Sequence, residues 1–387
     1  MLIYNARILY GEDFELVRGY VKIKNGEIQE IGSGGKKGDI NAKGGIVLPG
    51  FINTHVHILD ALGKESCIGK KLDEVVRPPA GYKHRILRNT PERTLISSAR
   101  NAIYEMVSNG ITTFCEFSND PLLSRRAVEG IKVRPILLYE PVVVQSENEI
   151  AKDVFDPYIV DLVAKNAKNC DGVGISGVCE FSDTTLKEIA DSTEYRYLAL
   201  HAAEHSVSQK RSLKLTGKTE IERAVKLKPN FLVHVTNPTR KDLKIITRRK
   251  IPVVCCPRCN ALLGVGAPPI LEFLKKKIPI ALGTDNIMLN SPDMFREMEF
   301  LSKLLRYIYK DPGIISTREI LKMATVNAAK IFGLNSGVIL EGRVADIIVL
   351  RPLRNMHPLN DVVSSVVHRA DARNVWMVIV GGKIVRV

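Results

Sequence analysis

Tryptophan occurs once in this chain of 387 residues, aromatic residues make up 6%, and glutamine appears only as Gln29, Gln145 and Gln209. With so few rings there is no basic tract interleaved with aromatics of the kind that stacks single-stranded nucleic acid, which leaves a nucleic-acid partner unexpected. No apolar run approaches the roughly 18 residues that a membrane-spanning helix needs. Residues 1–10 lack a basic segment followed by an apolar one, so no export signal is expected. Cysteine is scarce and odd in number, at seven. In a long chain without an export signal this argues against a disulfide framework and for a reducing, cytoplasmic compartment. The C-x-x-C of Cys256-Pro257-Arg258-Cys259 has no second pair at structural-zinc spacing. It also lacks the H-x-E partner of the compact nucleotide deaminases, so buried thiols are expected there.

Acidic residues are in deficit, 42 against 56 basic, for a net charge of +14. The basic residues fall in short scattered groups: Lys36-Lys37, Lys70-Lys71, Arg248-Arg249-Lys250 and Lys275-Lys276-Lys277. The last two groups end predicted helices, where cations suit the macrodipole. The charge therefore reads as a solvated surface before it reads as a binding face. Few glutamines beside many lysines and glutamates is the balance associated with thermophiles.

The rest of the composition, 45% hydrophobic and 25% charged, is that of a globular protein. The length suits one barrel of about 250 residues with a smaller domain beside it. Strand-like segments at 46–57, 111–117, 133–140, 173–178, 197–201, 231–235, 252–256 and 279–285 alternate with helix-like ones. The latter lie at 92–108, 122–128, 150–167, 183–191, 219–226, 242–249, 270–277 and 294–309. Eight β units each followed by a helix predict a parallel, closed (β/α)8 barrel, with a doubly wound open sheet as the alternative. A ninth helix is expected at 317–332, with Ser316 and Glu319 as a capping box and Gly333 as its stop. Both chain ends are β-rich, and Asn25-Gly26 marks a hairpin. This predicts a small β-sandwich-like domain built from residues 1–48 and 336–387, around a barrel at 49–335. About 35 residues separate the first strand from the first helix, far beyond an ordinary βα loop, and would cover the barrel mouth.

Eight histidines are present, and their placement carries the chemistry. His55 and His57 close the first strand as His-x-His, so both side chains point to one side. His201 ends the fifth strand, His234 lies near the end of the sixth, and Asp285 ends the eighth. On a barrel all five converge at the C-terminal mouth, where a catalytic divalent metal suits three imidazoles and a carboxylate.

These residues also carry a resemblance. Pro49-Gly50-Phe51-Ile52-Asn53-Thr54-His55-Val56-His57 resembles the opening motif of the amidohydrolase superfamily. His201-Ala202-Ala203-Glu204 is similar to the H-x-x-E of its cytosine deaminase and chlorohydrolase branch, and Gly283-Thr284-Asp285 to that branch's G-[ST]-D. Residues 337–346 resemble its G-x-I-x-x-G-x-x-A-D segment. The resemblance implies His55, His57, His201 and Asp285 as ligands of one divalent metal, zinc or iron(II). The fourth strand lacks the lysine that binuclear branches carboxylate; Glu180 is the residue that would otherwise bridge. The Gly172-x-Gly174-x-x-Gly177 pattern lies within that strand and is no dinucleotide loop.

The resemblance further implies hydrolytic deamination of an amino-substituted nitrogen heterocycle (purine, pyrimidine or pterin-like) by a metal-activated water. Asp285 would accept the water's proton, Glu204 would protonate a ring nitrogen, and His234 would orient the nucleophile or stabilise the adduct. His205 is assigned to a supporting or surface position. Arg258, His84 and Arg85 are candidate contacts to an acidic substrate group, within or beyond the basic run 83–85. Cyclic amide hydrolysis or dechlorination at the same site, and a non-catalytic nucleic-acid-binding barrel, are the competing readings. A homo-oligomer accords with the resemblance, which leaves its order open.

Overall fold

The computed structural model describes residues 1–192 and 196–386. The strands at both ends of the chain pair into one eight-stranded mixed sheet. Its order is Lys383–Arg386, Val375–Val380, Ile347–Leu350, Ile46–Pro49, Leu2–Tyr10, Glu15–Lys24 and Glu27–Ser33, with Ile40–Asn41 beside Leu2–Tyr10. The Asn25-Gly26 turn has φ of 55° and 86°, the left-handed pair that a two-residue hairpin needs. An apolar layer including Ile3, Ile8, Val21, Val47, Ile347 and Ile379 fills this sheet's inner side.

The expected first strand at 46–57 divides at Gly50. Ile46–Pro49 belongs to the terminal sheet and Phe51–His57 to the barrel. A Cβ on Gly50 would lie 2.3 Å from the Thr112 side chain, so only glycine lets the chain pass between the two sheets there.

The barrel strands follow in sequence: Phe51–His57, Ile111–Ser118, Arg134–Tyr139, Gly172–Ile175, Tyr197–Ala202, Phe231–His234 and Val253–Cys255. All pair in parallel with their neighbours. The eighth position is a broken strand. Ile280–Leu282 pairs with the seventh strand, and Asp285–Asn286 pairs with the first. The two ends of the sheet are thus halves of one segment, and the barrel closes. Asn53 seals the join: its Nδ2 donates to Thr284 Oγ1 at 2.7 Å, and its Oδ1 accepts the Thr284 amide at 3.0 Å. Glycines Gly172 and Gly174 sit where a Cβ would meet Tyr197 O at 2.0 Å and the Phe117 ring at 2.3 Å. Tight strand packing accounts for the glycine pattern there.

Helices Glu92–Ser108, Asp183–Asp191 and Met294–Tyr309 occupy the segments that periodicity marks. Three expected helices are corrected. The segment 150–167 holds Glu147–Ala151 and Pro157–Ala167, because Asp156 caps a fresh start at Pro157. Segment 219–226 narrows to Glu220–Ala224, and 317–332 breaks into Thr317–Met323 and Val326–Ile331. Helix Ser206–Thr216 is an addition; its buried residues are Gln209 and Ser212, so no apolar stripe announces it. The long loop after the first strand is folded, with a 3-10 turn Leu59–Gly63 and helices Leu72–Val76 and Tyr82–Asn89. Among the described residues, no helix is long and apolar enough to cross a membrane.

Gly283 lies between the halves of the eighth strand, where a Cβ would stand 2.7 Å from His55 Cβ and 2.8 Å from His55 N. Gly283→Ala is expected to cost about 2 kcal/mol through overpacking, read as a lowered denaturant midpoint at unchanged m-value.

Candidate active site

Four strand ends at the barrel mouth deliver the polar side chains. His55 and His57 come from the first strand, His201 from the fifth, His234 from the sixth and Asp285 from the broken eighth. The structure brings all five together with Glu204. His55, His57 and His201 form one group, His55, His234 and Asp285 a second, and His201, Glu204 and His234 a third, each with candidate ligand atoms within 4.8 Å of one another. His55 Nε2 is 3.3 Å and His57 Nε2 3.5 Å from Asp285 Oδ1, while His234 Nε2 is 3.7 Å from Glu204 Oε1.

The backbone holds these groups in costly conformations. Ala203, His234, Val235 and Asp285 have φ of 54°, 70°, 46° and 60°. Left-handed backbone is rare for residues other than glycine, and rarest for a β-branched one such as Val235. Such residues gather where a site dictates side-chain direction.

Burial sets the protonation states. It pushes the imidazoles of His55, His57 and His201 below their ordinary value, and the Lys83 charge adds to this at His57. Neutral imidazoles keep a lone pair free for a cation. Burial alone would raise Asp285, but His55 beside it, with His234 and His57, outweighs this and holds the carboxyl well below the usual range. Burial raises Glu204 to about 7. Among the described residues, both ring nitrogens of His55 and Nε2 of His201 are buried without a hydrogen-bond partner. Orphaned imidazole nitrogens facing an ionised carboxylate are a donor set that fits a divalent metal. The ring orientations are fixed from behind: Phe117 O lies 2.9 Å from His57 Nδ1, and Asn260 Oδ1 lies 3.0 Å from His234 Nδ1.

A cavity of about 910 Å³, with open solvent at its mouth included, opens over this cluster. The long loop forms part of its wall through Leu72, Val76 and Lys83. Sequence reasoning missed much of the rest: Glu140 at the end of the third strand, Ser176 after the fourth and Arg211 on helix Ser206–Thr216, with Glu180, weighed there only as a metal bridge, beside them. Glu180 accepts from Ser176 Oγ at 2.8 Å and belongs to none of the three candidate metal groups. Burial opposes the Lys83 charge, but Glu140, Asp60 and Asp285 outweigh it and raise its ammonium above the ordinary value. None of these positions carries a motif. The single available signal was the basic run 83–85, of which Lys83 alone lines the cavity.

The three expected substrate contacts do not line the cavity. His84 is buried under the loop with Nε2 2.8 Å from Val76 O, and burial lowers it to about 4. Arg85 is exposed beside the Tyr82 ring. Arg258 points behind the site, its Nη1 3.0 Å from Ser291 O and 3.4 Å from Glu297 Oε1, and Glu297 is fully buried. The helical turn Pro257–Leu262 aims residue 258 away from the mouth while placing Asn260 behind His234. His205 precedes helix Ser206–Thr216 and does not line the cavity. Cys256 and Cys259 are buried, and all seven cysteines are free. Arg258→Met is expected to cost about 2 kcal/mol by leaving the Glu297 carboxyl, which burial raises to about 8, without its Arg258 side-chain partner; in chemical denaturation, Arg258→Met/Glu297→Leu should recover most of that loss.

A Methanothermobacter thermautotrophicus protein is 35% identical over 397 residues, an alignment covering 100% of this chain and 99% of that one. The 5-methylthioadenosine/S-adenosylhomocysteine deaminase of Thermococcus sibiricus is 29% identical over 408 residues, covering 100% and 93%. The crystal structure of atrazine chlorohydrolase from Arthrobacter aurescens TC1, solved with zinc, superposes with a TM-score of 0.85 at 20% identity, covering 99% and 94%. The model of the amidohydrolase family matches residues 46–385, and the chain belongs to that family.

Proposed function

We propose that this protein is a metal-dependent aminohydrolase, which releases ammonia from an amino-substituted nitrogen heterocycle. The observation that carries the reading is the meeting of three neutral imidazoles and an ionised Asp285 with a Glu204 carboxyl raised to about 7, all on one cavity. Deaminase relatives and the zinc in the chlorohydrolase structure support it. His55, His57, His201 and Asp285 would hold one divalent ion, zinc by preference. When bound, that ion supplies Lewis acidity and makes a water at the site easier to deprotonate.

The remaining chemistry belongs to the side chains. Asp285 is ionised and takes a proton from the attacking water. With its Nδ1 proton directed to Asn260 Oδ1, His234 leaves Nε2 free as an acceptor that orients this water. Glu204, poised near neutrality, donates its proton to the ring nitrogen beside the amino-bearing carbon. The water's oxygen bonds to that carbon, the carbon–nitrogen bond breaks, and the proton held by Asp285 leaves with the amino group as ammonia. A ring carbonyl remains and Glu204 recovers a proton from the adduct's hydroxyl. The division into a composite domain at 1–48 and 336–387 around a barrel at 49–335 belongs to the same proposal.

Metal analysis of the purified protein should find about one divalent ion per chain; chelation should abolish turnover and zinc should restore it. An ammonia-coupled screen of purines, pyrimidines, pterins and nucleosides tests the bond cleaved. Chloride release or a new carboxylate in place of ammonia would favour dechlorination or ring opening. Asp285→Asn is expected to lower kcat at least about 10³-fold and Glu204→Gln about 10²-fold. Near wild-type turnover in either variant would remove the role given to that residue.

A further inference from the structure

Lys83 reaches from helix Tyr82–Asn89 in the covering loop down to the floor of the cavity, where its Nζ lies 3.2 Å from Glu140 Oε2. The side chains are 5% and 4% exposed. An ion pair this deeply buried is poor value as a stabiliser, because desolvation of both charges offsets their attraction and apolar residues of the same size would serve as well. Both side chains line the cavity over the histidine cluster. Their hydrogen-bonding capacity is only partly used. The Nζ also lies 2.9 Å from His57 Nδ1, but Phe117 O stands at the same distance from that nitrogen. When His57 turns Nε2 toward Asp285 as a ligand, its proton sits on Nδ1 and goes to Phe117 O, so Nδ1 accepts nothing from Lys83. Asp60 makes no hydrogen bond to Lys83 among the described residues; its oxygens accept from Asn286 Nδ2 and the Met288 amide. Of three N–H groups on Lys83, Glu140 takes one. Glu140 Oε1 has no hydrogen bond among the described residues.

A charged donor and a charged acceptor therefore stand side by side on the cavity wall, one imidazole ring away from the reacting centre. The complementary ligand edge is an acceptor beside a donor. We propose that Lys83 and Glu140 read a lactam edge, a ring carbonyl next to a ring N–H, with Lys83 donating to the carbonyl oxygen and Glu140 accepting from the N–H. Resting on the deamination reading above, this assigns the substrate to the amino-oxo heterocycles. In an N9-substituted adenine the N–H donors of the base all belong to the amino group that reacts, so such a ring offers no second edge of this kind.

Matched pairs test the assignment: guanine against 2-aminopurine and cytosine against 4-aminopyrimidine, each differing by the lactam. For the wild type, kcat/KM should favour at least one lactam member by about tenfold or more. Lys83→Met and Glu140→Gln should collapse that ratio toward one, mainly through KM. A merely structural role would slow both members of a pair alike and leave the ratio unchanged, which would overturn the proposal, as would a wild-type preference for the lactam-free members. Should the single variants fail to fold, Lys83→Met/Glu140→Leu removes the pair together. If no heterocycle is deaminated, the reaction assignment fails and calorimetric binding decides the edge separately. Hypoxanthine binding about tenfold tighter than purine in the wild type, but not in the double variant, supports it; equal binding of the two in the wild type overturns it.

Discussion

The site depends on how the eighth strand meets the first. Asn53 and Thr284 bond reciprocally across that join, Thr54 Oγ1 donates to Leu282 O, and the Thr284 amide donates to His55 O at 3.0 Å. Asp285 consequently faces Val56 in register, directly beside the two strand-one histidines. A one-residue slip would turn either side chain to the opposite face. Gly283 permits the approach, and the left-handed backbone at Asp285 then aims the carboxylate inward. Closure of the barrel and assembly of the donor cluster are thus one event.

Burial at that centre has opposite consequences for different groups. It lowers the imidazoles of His55, His57 and His201 and raises the carboxyls of Glu140, Glu180, Glu204 and Glu220. Asp285 escapes because the histidines surround it. The cavity thereby holds an ionised carboxylate beside one that titrates near neutrality, an arrangement that separates proton-accepting and proton-donating duties. The net charge of +14 contributes little here. Arg248, Arg249 and Lys275 occupy the last turns of their helices, as the macrodipole favours.

Much of this was legible in one dimension because strand and helix periods are local. The eight strands, the long helices and the five converging residues follow from spacing and strand ends, and barrel topology alone then brings the latter together. Helix Ser206–Thr216 escaped because its inner face is polar, and 317–332 read as one helix because nothing local marks the break near Ala324. Arg258, His84 and Arg85 lie off the cavity for a related reason. Their chemistry suited an acidic ligand, but the direction in which a loop side chain points is set by packing.

Composition and motif spacing by themselves predicted alternating parallel β/α units, a sheet drawn from both ends, and the histidines and aspartate at the strand ends, while closure of the barrel came from the pairing of the split eighth strand. Strand ends carry side chains of known direction, so sequence position translates into place. Tertiary structure alone decided which loop residues reach the cavity. Lys83 lies 57 positions from Glu140 and Arg258 lies 39 from Glu297. Only the folded chain pairs the first two at the substrate's side and the others behind it.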